Sequence, residues 1–132
     1  MGARRLVILL DTNVLVRMLV GGTAAAEAVS RWIAAGESLG TSAVCWYEFE
    51  SGPVDAAGLA LASTAIMDRI LPFTADHARE AARLWNAAGR VRRRRVDAMI
   101  AAVAVVSGAR LATSNVDDFR PFGDLGLAVA AV

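Results

Sequence analysis

"LVILLDTNVL", Leu6–Leu15, is a run of five aliphatic residues that meets a carboxylate, a hydroxyl and an amide before the aliphatics resume. The run is continuous rather than alternating. A strand made from it is apolar on both faces, as in the interior of a parallel sheet covered by helices. In such sheets ligands bind beyond the carboxyl ends of the strands. Asp11, Thr12 and Asn13 stand at that end of the first strand, where the chain turns into a helix.

Outward from this point, strands and helices alternate. Asn13–Val20 reads as a short helix stopped by Gly21-Gly22. Thr23 caps a second helix, with Ala25, Val29, Trp32 and Ile33 on one face and Gly36 at its end. Ser38–Ala43 is a second strand and Val44–Ser51 a helical turn or two before Gly52-Pro53. Asp55–Asp68 is a helix with Leu59, Ala62 and Ile66 inward; Arg69–Phe73 is a third strand, assigned to an edge by Pro72. Thr74 caps a surface helix ended by Gly89, with Ala78, Ala81, Ala82 and Trp85 on one side and His77, which is given no role, in its first turn. In Val96–Val106, Val96, Met99, Ile100 and Val103 fall at helical spacing and the other faces are apolar too, which predicts a helix buried nearly all round. Arg110–Ser114 and Leu127–Val132 supply a fourth and a fifth strand. The expectation is an α/β fold: one domain over residues 1–132, with a parallel sheet of four or five strands, right-handed crossovers and helices on both faces.

Hydrophobic residues make up 56% of the chain, yet the longest uninterrupted apolar run, Ala98–Val106, is too short to span a bilayer. The apolar stretch Leu6–Leu10 is likewise too short for a secretory signal, so a soluble, cytoplasmic domain with no membrane partner is expected. Cys45 is the sole cysteine and His77 the sole histidine, which excludes an internal disulfide and any cysteine-based metal cluster. A catalytic metal must then rest on oxygen ligands, which favours Mg2+ or Mn2+ over zinc. The net charge of +1 gives the molecule no strong overall pull on nucleic acid. Every one of the 14 basic side chains is arginine, and five of them crowd into "GRVRRRR", Gly89–Arg95. Arg92, Arg93, Arg94 and Arg95 read as a clamp on an RNA backbone, as a patch for an acidic partner, or as a solvated loop. Nucleotide-binding glycine loops are absent from the sequence.

Acidic residues recur at four places: Asp11, Glu48 in "SAVCWYEFESG", Asp97 in "RRRRVDAMIAA", and "LATSNVDDF", which offers Asn115, Asp117 and Asp118. Singly, each reads as a helix cap, a first-turn acid or a solvated charge. If the strands are parallel, all four approach one end of the sheet. Converging carboxylates raise one another's pKa, and a divalent ion held by one or two of them plus waters relieves the repulsion.

The stretches "VILLDTNVLVRML", "TSAVCWYEFESG" and "RRVDAMIAAVAVVSGARLATSNVDDF" resemble the motif regions of the PIN domain, in particular the toxin ribonucleases of VapBC-type toxin–antitoxin pairs. The resemblance runs over nearly the whole chain in order: D-T-N, then Glu with Gly four residues on, then D-A-x-I-A-A, then A-T-x-N-x-x-D-F. It implies a metal-dependent endoribonuclease with Asp11, Glu48 and Asp97 as the acidic site. Asp11 and Asp97 would hold Mg2+ or Mn2+, Glu48 would orient the attacking water, and Asn13 and Thr113 would orient carboxylates and substrate. Family members often carry Asp where this chain has Asn115; Asp118, the aspartate before Phe119, would contribute through a water or an orienting hydrogen bond. RNA, a small antitoxin and a second copy of the chain are the implied partners. Asn115 also leaves open a catalytically weak or inactive PIN-like module that binds RNA or protein. Response-regulator receivers and aspartate-nucleophile phosphatases share an Asp after strand one, but both typically need a lysine, and this chain has none.

Overall fold

The apolar run that meets Asp11 becomes the central strand of the molecule. The computed structural model describes residues 7–132; Leu6, expected to open that strand, and the rest of the MGARRL start lie outside the described residues. Five parallel strands, β1 (Val7–Leu10), β2 (Ser38–Ser42), β3 (Ile70–Leu71), β4 (Arg110–Thr113) and β5 (Ala128–Ala131), form a sheet in the order β3-β2-β1-β4-β5. Leu9 sits between Gly40 on one side and Leu111 on the other. Ile8, Leu9 and Leu10 are fully buried, which accounts for the unbroken aliphatic run.

Among the described residues seven helices flank the sheet: α1 (Thr12–Arg17), α2 (Ala24–Ala34), α3 (Ala43–Glu50), α4 (Ala56–Ala65), α5 (Ala75–Ala87), α6 (Arg95–Ser107) and α7 (Val116–Phe119). Capping follows from the sequence. Thr23, Ser42, Asp55 and Thr74 each accept a backbone N–H of the helix they open. The chain winds outward from β1 to β2 and β3, then returns to the far side of β1 for β4 and β5. The connections leaving β1 and β4 therefore part in opposite directions, and the crevice between them is where such sheets bind ligands.

Several expectations need correction. The first helix ends at Arg17 rather than Val20, and backbone turns complete the segment to Gly22. The third strand shrinks to two residues, at the edge, because Met67 and Asp68 both take positive φ before it and Pro72 lacks an N–H after it. Gly40 lets that turn approach, since a Cβ there would meet the Arg69 carbonyl oxygen at 3.0 Å. The inward stripe of α5 is His77, Ala81 and Leu84, with Trp85 half-buried, whereas Ala78 and Ala82 face solvent. His77, expected at the surface, is 7% exposed. Its Nδ1 accepts the Thr74 N–H at 2.9 Å and closes a capping box. Val96 and Ile33, expected inside, are 42% and 51% exposed. The arginine run is not a loop: Arg92–Arg94 form a single 3-10 turn and Arg95 opens α6. After β4, α7 and a 3-10 stretch (Arg120–Leu125) bury Phe119 and Phe122, where only a turn was expected.

Candidate metal centre

Asp11 ends β1 and caps α1, which places its carboxylate in the crevice between β1 and β4. Its backbone N–H donates to the Ala112 carbonyl at 2.9 Å and so ties the end of β1 to β4. The side chain is 5% exposed and held on both oxygens. Oδ1 accepts the Thr12 N–H at 2.8 Å and the Cys45 thiol at 3.7 Å. Oδ2 accepts the Thr113 hydroxyl at 2.7 Å and the Asn13 amide at 3.2 Å. Burial raises the pKa of Asp11; the hydrogen bonds from Thr113, Thr12 and Cys45 pull it back down, and the charge of Glu48 adds to the rise. Burial, together with the charge of Asp11, pushes the Cys45 thiol up to about 12. Cys45 is therefore a neutral donor to the carboxylate, not a nucleophile.

The support extends across the crevice. Thr113, fully buried at the end of β4, donates to Asp11 and accepts the Asn115 N–H at 3.0 Å. Asn13 uses both ends of its amide. Nδ2 donates to Asp11, and Oδ1 accepts the Ser114 N–H at 3.2 Å, joining the segments after β1 and β4. No buried side-chain nitrogen or oxygen among the described residues lacks a partner.

Glu48 projects from α3 and is exposed; the Thr12 hydroxyl donates to its Oε1 at 2.7 Å. Asp97 lies in the first turn of α6, half-buried. Its carboxyl is pushed up to about 6, first by burial, then by the charges of Asp118, Asp11 and Glu48, against the opposing charge of Arg94. Carboxylates from three other segments thus act on Asp97 of α6: Asp11 after β1, Glu48 on α3 and Asp118 on α7. Asp11, Thr12, Asn13, Glu48, Asp97 and Asn115 line one open cleft, floored by Ile100 and Phe119.

Asp118 is exposed and does not line that cleft, yet its charge raises Asp97 more than any other. Its side chain does not cap the turn; the neighbouring Asp117 pairs with Arg120 at 2.5 Å. Arg92 and Arg93 point into solvent, Arg94 acts on Asp97, and Arg95 lies over the Trp85 ring. The sequence places Thr12 in D-T-N and Trp85 on the inner side of its helix, but singles out neither of them, nor Cys45, for a part in the site. Thr12 had a signal, since it sits inside D-T-N beside the carboxylate; so did Cys45, three residues before Glu48 on the same helix.

Among the described residues, no group of three or more His, Cys, Asp or Glu is close enough to enclose an ion. The donor set fits a hard divalent cation held by two carboxylates and completed by water, the habit of Mg2+. It does not fit zinc, which takes four close protein ligands or three and a water.

The PIN domain model matches residues 8–124 of the chain. None of the curated proteins matches it in sequence. Among solved structures, the chain is similar to a chain of VapBC2 from Rickettsia felis bound to a DNA fragment from its promoter, at 16% identity and TM-score 0.72, covering 96% of this chain and 99% of that one. A toxin–antitoxin complex from Klebsiella pneumoniae is similar at 25% identity and TM-score 0.72, covering 94% and 96%. VapBC-5 from Mycobacterium tuberculosis is similar at 25% identity and TM-score 0.60, covering 96% and 98%.

Proposed function

The chain belongs to the PIN domain family, and on that premise we propose that it is a metal-dependent endoribonuclease, the toxin of a toxin–antitoxin pair, acting in the cytoplasm as one domain over residues 1–132. The observation that carries this reading is the convergence of the Asp11, Glu48 and Asp97 carboxylates on one open cleft at the end of a parallel sheet. Such a cluster is costly unless a cation neutralises it.

Asp11 and Asp97 are the residues that would hold Mg2+ or Mn2+, and the ion, when bound, supplies an acidified water and charge neutralisation at the phosphate. The protein's own part is positioning. Thr113, Asn13, Thr12 and Cys45 fix the Asp11 carboxylate in one orientation. The Thr12 hydroxyl anchors one oxygen of Glu48, which leaves the other to orient the attacking water and take its proton. Asn115 offers a neutral amide to the cleft, so a second divalent ion would be held more weakly than with a carboxylate there.

Two apolar grooves flank the cleft and support the partner assignments. Val16, Leu19, Val20, Phe49 and Val54 line one, which shares Glu48 with the acidic site; it suits an apolar antitoxin segment that blocks the cleft. Val44, Tyr47, Phe73, Val96 and Met99 line the other, with Tyr47 72% exposed, and suit a second copy of the chain. Among the described residues no helix is long and apolar enough to cross a membrane.

Purified protein should cut single-stranded RNA in Mg2+ or Mn2+, stop in EDTA, and lose activity in Asp11→Asn and in Asp97→Asn. Cleavage that survives chelation or either substitution contradicts the reading. The amide at Asn115 favours one alternative, a module that binds RNA or protein without cutting; RNA binding with no cleavage in either metal selects it.

A further inference from the structure

Five arginines, Arg90 and Arg92 to Arg95, follow Gly89, and the structure divides their labour. Arg90 and Arg95 lie over the Trp85 ring, with guanidinium carbons 4.5 and 4.6 Å from its centroid. The same indole donates its Nε1–H to the Val91 carbonyl at 2.7 Å. Arg90 has φ 59°; its N–H bonds the Trp85 carbonyl at 2.9 Å, and its guanidinium reaches the Asn86 side chain. Trp85 therefore clasps the segment at both ends and near its start, and the Arg92–Arg94 turn is held between.

Within that turn, Arg92 and Arg93 are exposed and Arg94 is half-buried. Arg94 is the N-cap of α6, three residues before Asp97, so the two side chains neighbour each other on the first turn. Its charge acts on the Asp97 carboxyl, yet the two form no ion pair. The ion pairs among the described residues are Arg79–Asp76, Arg83–Glu80 and Arg120–Asp117. A guanidinium beside an acidic cleft, with its hydrogen-bonding fork uncommitted, is suited to a planar, doubly acceptor group such as a phosphodiester.

We propose that Arg94 is the arginine that binds the RNA phosphate at the acidic cleft, and that Trp85 is the positioning residue that holds its turn in place. This rests on reading the cleft as a ribonuclease site. Arg95 is then not part of the clamp, because the indole occupies it. Arg92 and Arg93 supply only longer-range attraction, which salt screens. Holding the turn before RNA arrives spares the ordering cost on binding.

The test measures binding of a fluorescein-labelled single-stranded RNA by anisotropy, in EDTA so that no strand is cut, across a range of salt. Arg94→Gln should weaken binding about five- to tenfold and lower the salt slope by about one. Arg92→Gln and Arg93→Gln should each cost about twofold or less, since they make only screened contacts. Arg79→Gln, in an exposed ion pair on α5 that does not line the cleft, should match wild type. Trp85→Leu should reproduce the Arg94→Gln loss, and Trp85→Phe, which keeps an aromatic face, should retain most of the affinity. In the cleavage assay Arg94→Gln should raise KM more than it lowers kcat. Wild-type affinity in Arg94→Gln, a larger loss in Arg92→Gln or Arg93→Gln, or no RNA binding by wild type overturns the assignment. Metal-dependent cleavage indifferent to Arg94 overturns this inference alone. Arg94-dependent RNA binding without cleavage overturns the nuclease reading alone.

Discussion

Asp97→Asn is expected to stabilise the metal-free protein while it disables the site. Burial and the charges of Asp118, Asp11 and Glu48 raise the Asp97 carboxyl from 3.8 to about 6. A carboxyl whose pKa is higher folded than unfolded binds its proton more tightly in the folded state, so stability falls as pH rises between the two values. The destabilisation is absent below the unfolded pKa and complete above the folded one. A rise of that size corresponds to about 3 kcal/mol. Asp97 is only half-buried, and screening by solvent reduces the figure to roughly 1–2 kcal/mol. Asparagine keeps the shape and carries no charge to desolvate. At pH 7.5 in EDTA the variant should gain about 1–2 kcal/mol in urea denaturation, or roughly 3–8 °C in Tm. At pH 4, close to the unfolded pKa, only a few tenths of a kcal/mol of the gain should remain. A divalent ion should reverse the ranking, since only wild type gains from binding, by about 2.7 kcal/mol at one hundred times Kd. A variant less stable than wild type by the same amount at both pH values refutes the reasoning. It would make Asp97 a structural first-turn acid rather than part of a repelling cluster.

Asp118→Asn removes the largest charge effect on Asp97, so the Asp97 carboxyl should titrate at lower pH by NMR; activity should fall about tenfold or less, far less than in Asp97→Asn. Asn115→Asp adds a carboxylate to the cleft and should lower the Mn2+ concentration needed for cleavage; an unchanged metal requirement would remove position 115 from the site. Thr113→Val deletes the hydroxyl that bonds Asp11 and receives the Asn115 N–H. It should cost about 1–3 kcal/mol of stability and about 10–100-fold in metal affinity, read by urea denaturation and metal titration.

The core of the fold was legible because its signals are strong and local. An unbroken aliphatic run ending in D-T-N can hardly be anything but a central strand reaching the crevice, and Leu9, between Gly40 and Leu111, is that strand. Three of the acids follow from the same logic, since each stands where a strand or its helix reaches one end of the sheet. What failed was the reading of weak residues. Alanine signals burial poorly, so the stripe on α5 was displaced to Ala78 and Ala82, and His77 was counted as polar surface although its ring closes a cap. Helix α7 is too short to show a period, and only tertiary packing reveals that Phe119 and Phe122 belong to the core. The bond from the Ser114 N–H to Asn13 spans residues distant in sequence and exists only because β4 returns to the side of β1. The clasp of Trp85 on Arg90 and Arg95 likewise needs the end of α5 to meet the start of α6.

The central claim is that Asp11 and Asp97 form a divalent-ion site at the end of the sheet. Electron paramagnetic resonance of Mn2+ titrated into the metal-free protein at pH 7.5 tests it most directly. Wild type should remove free Mn2+ from the spectrum at a stoichiometric site, weaken as pH falls below about 6 because Asp97 takes up a proton, and lose the site in Asp11→Asn and in Asp97→Asn. Equal Mn2+ binding by wild type and both variants would contradict the account.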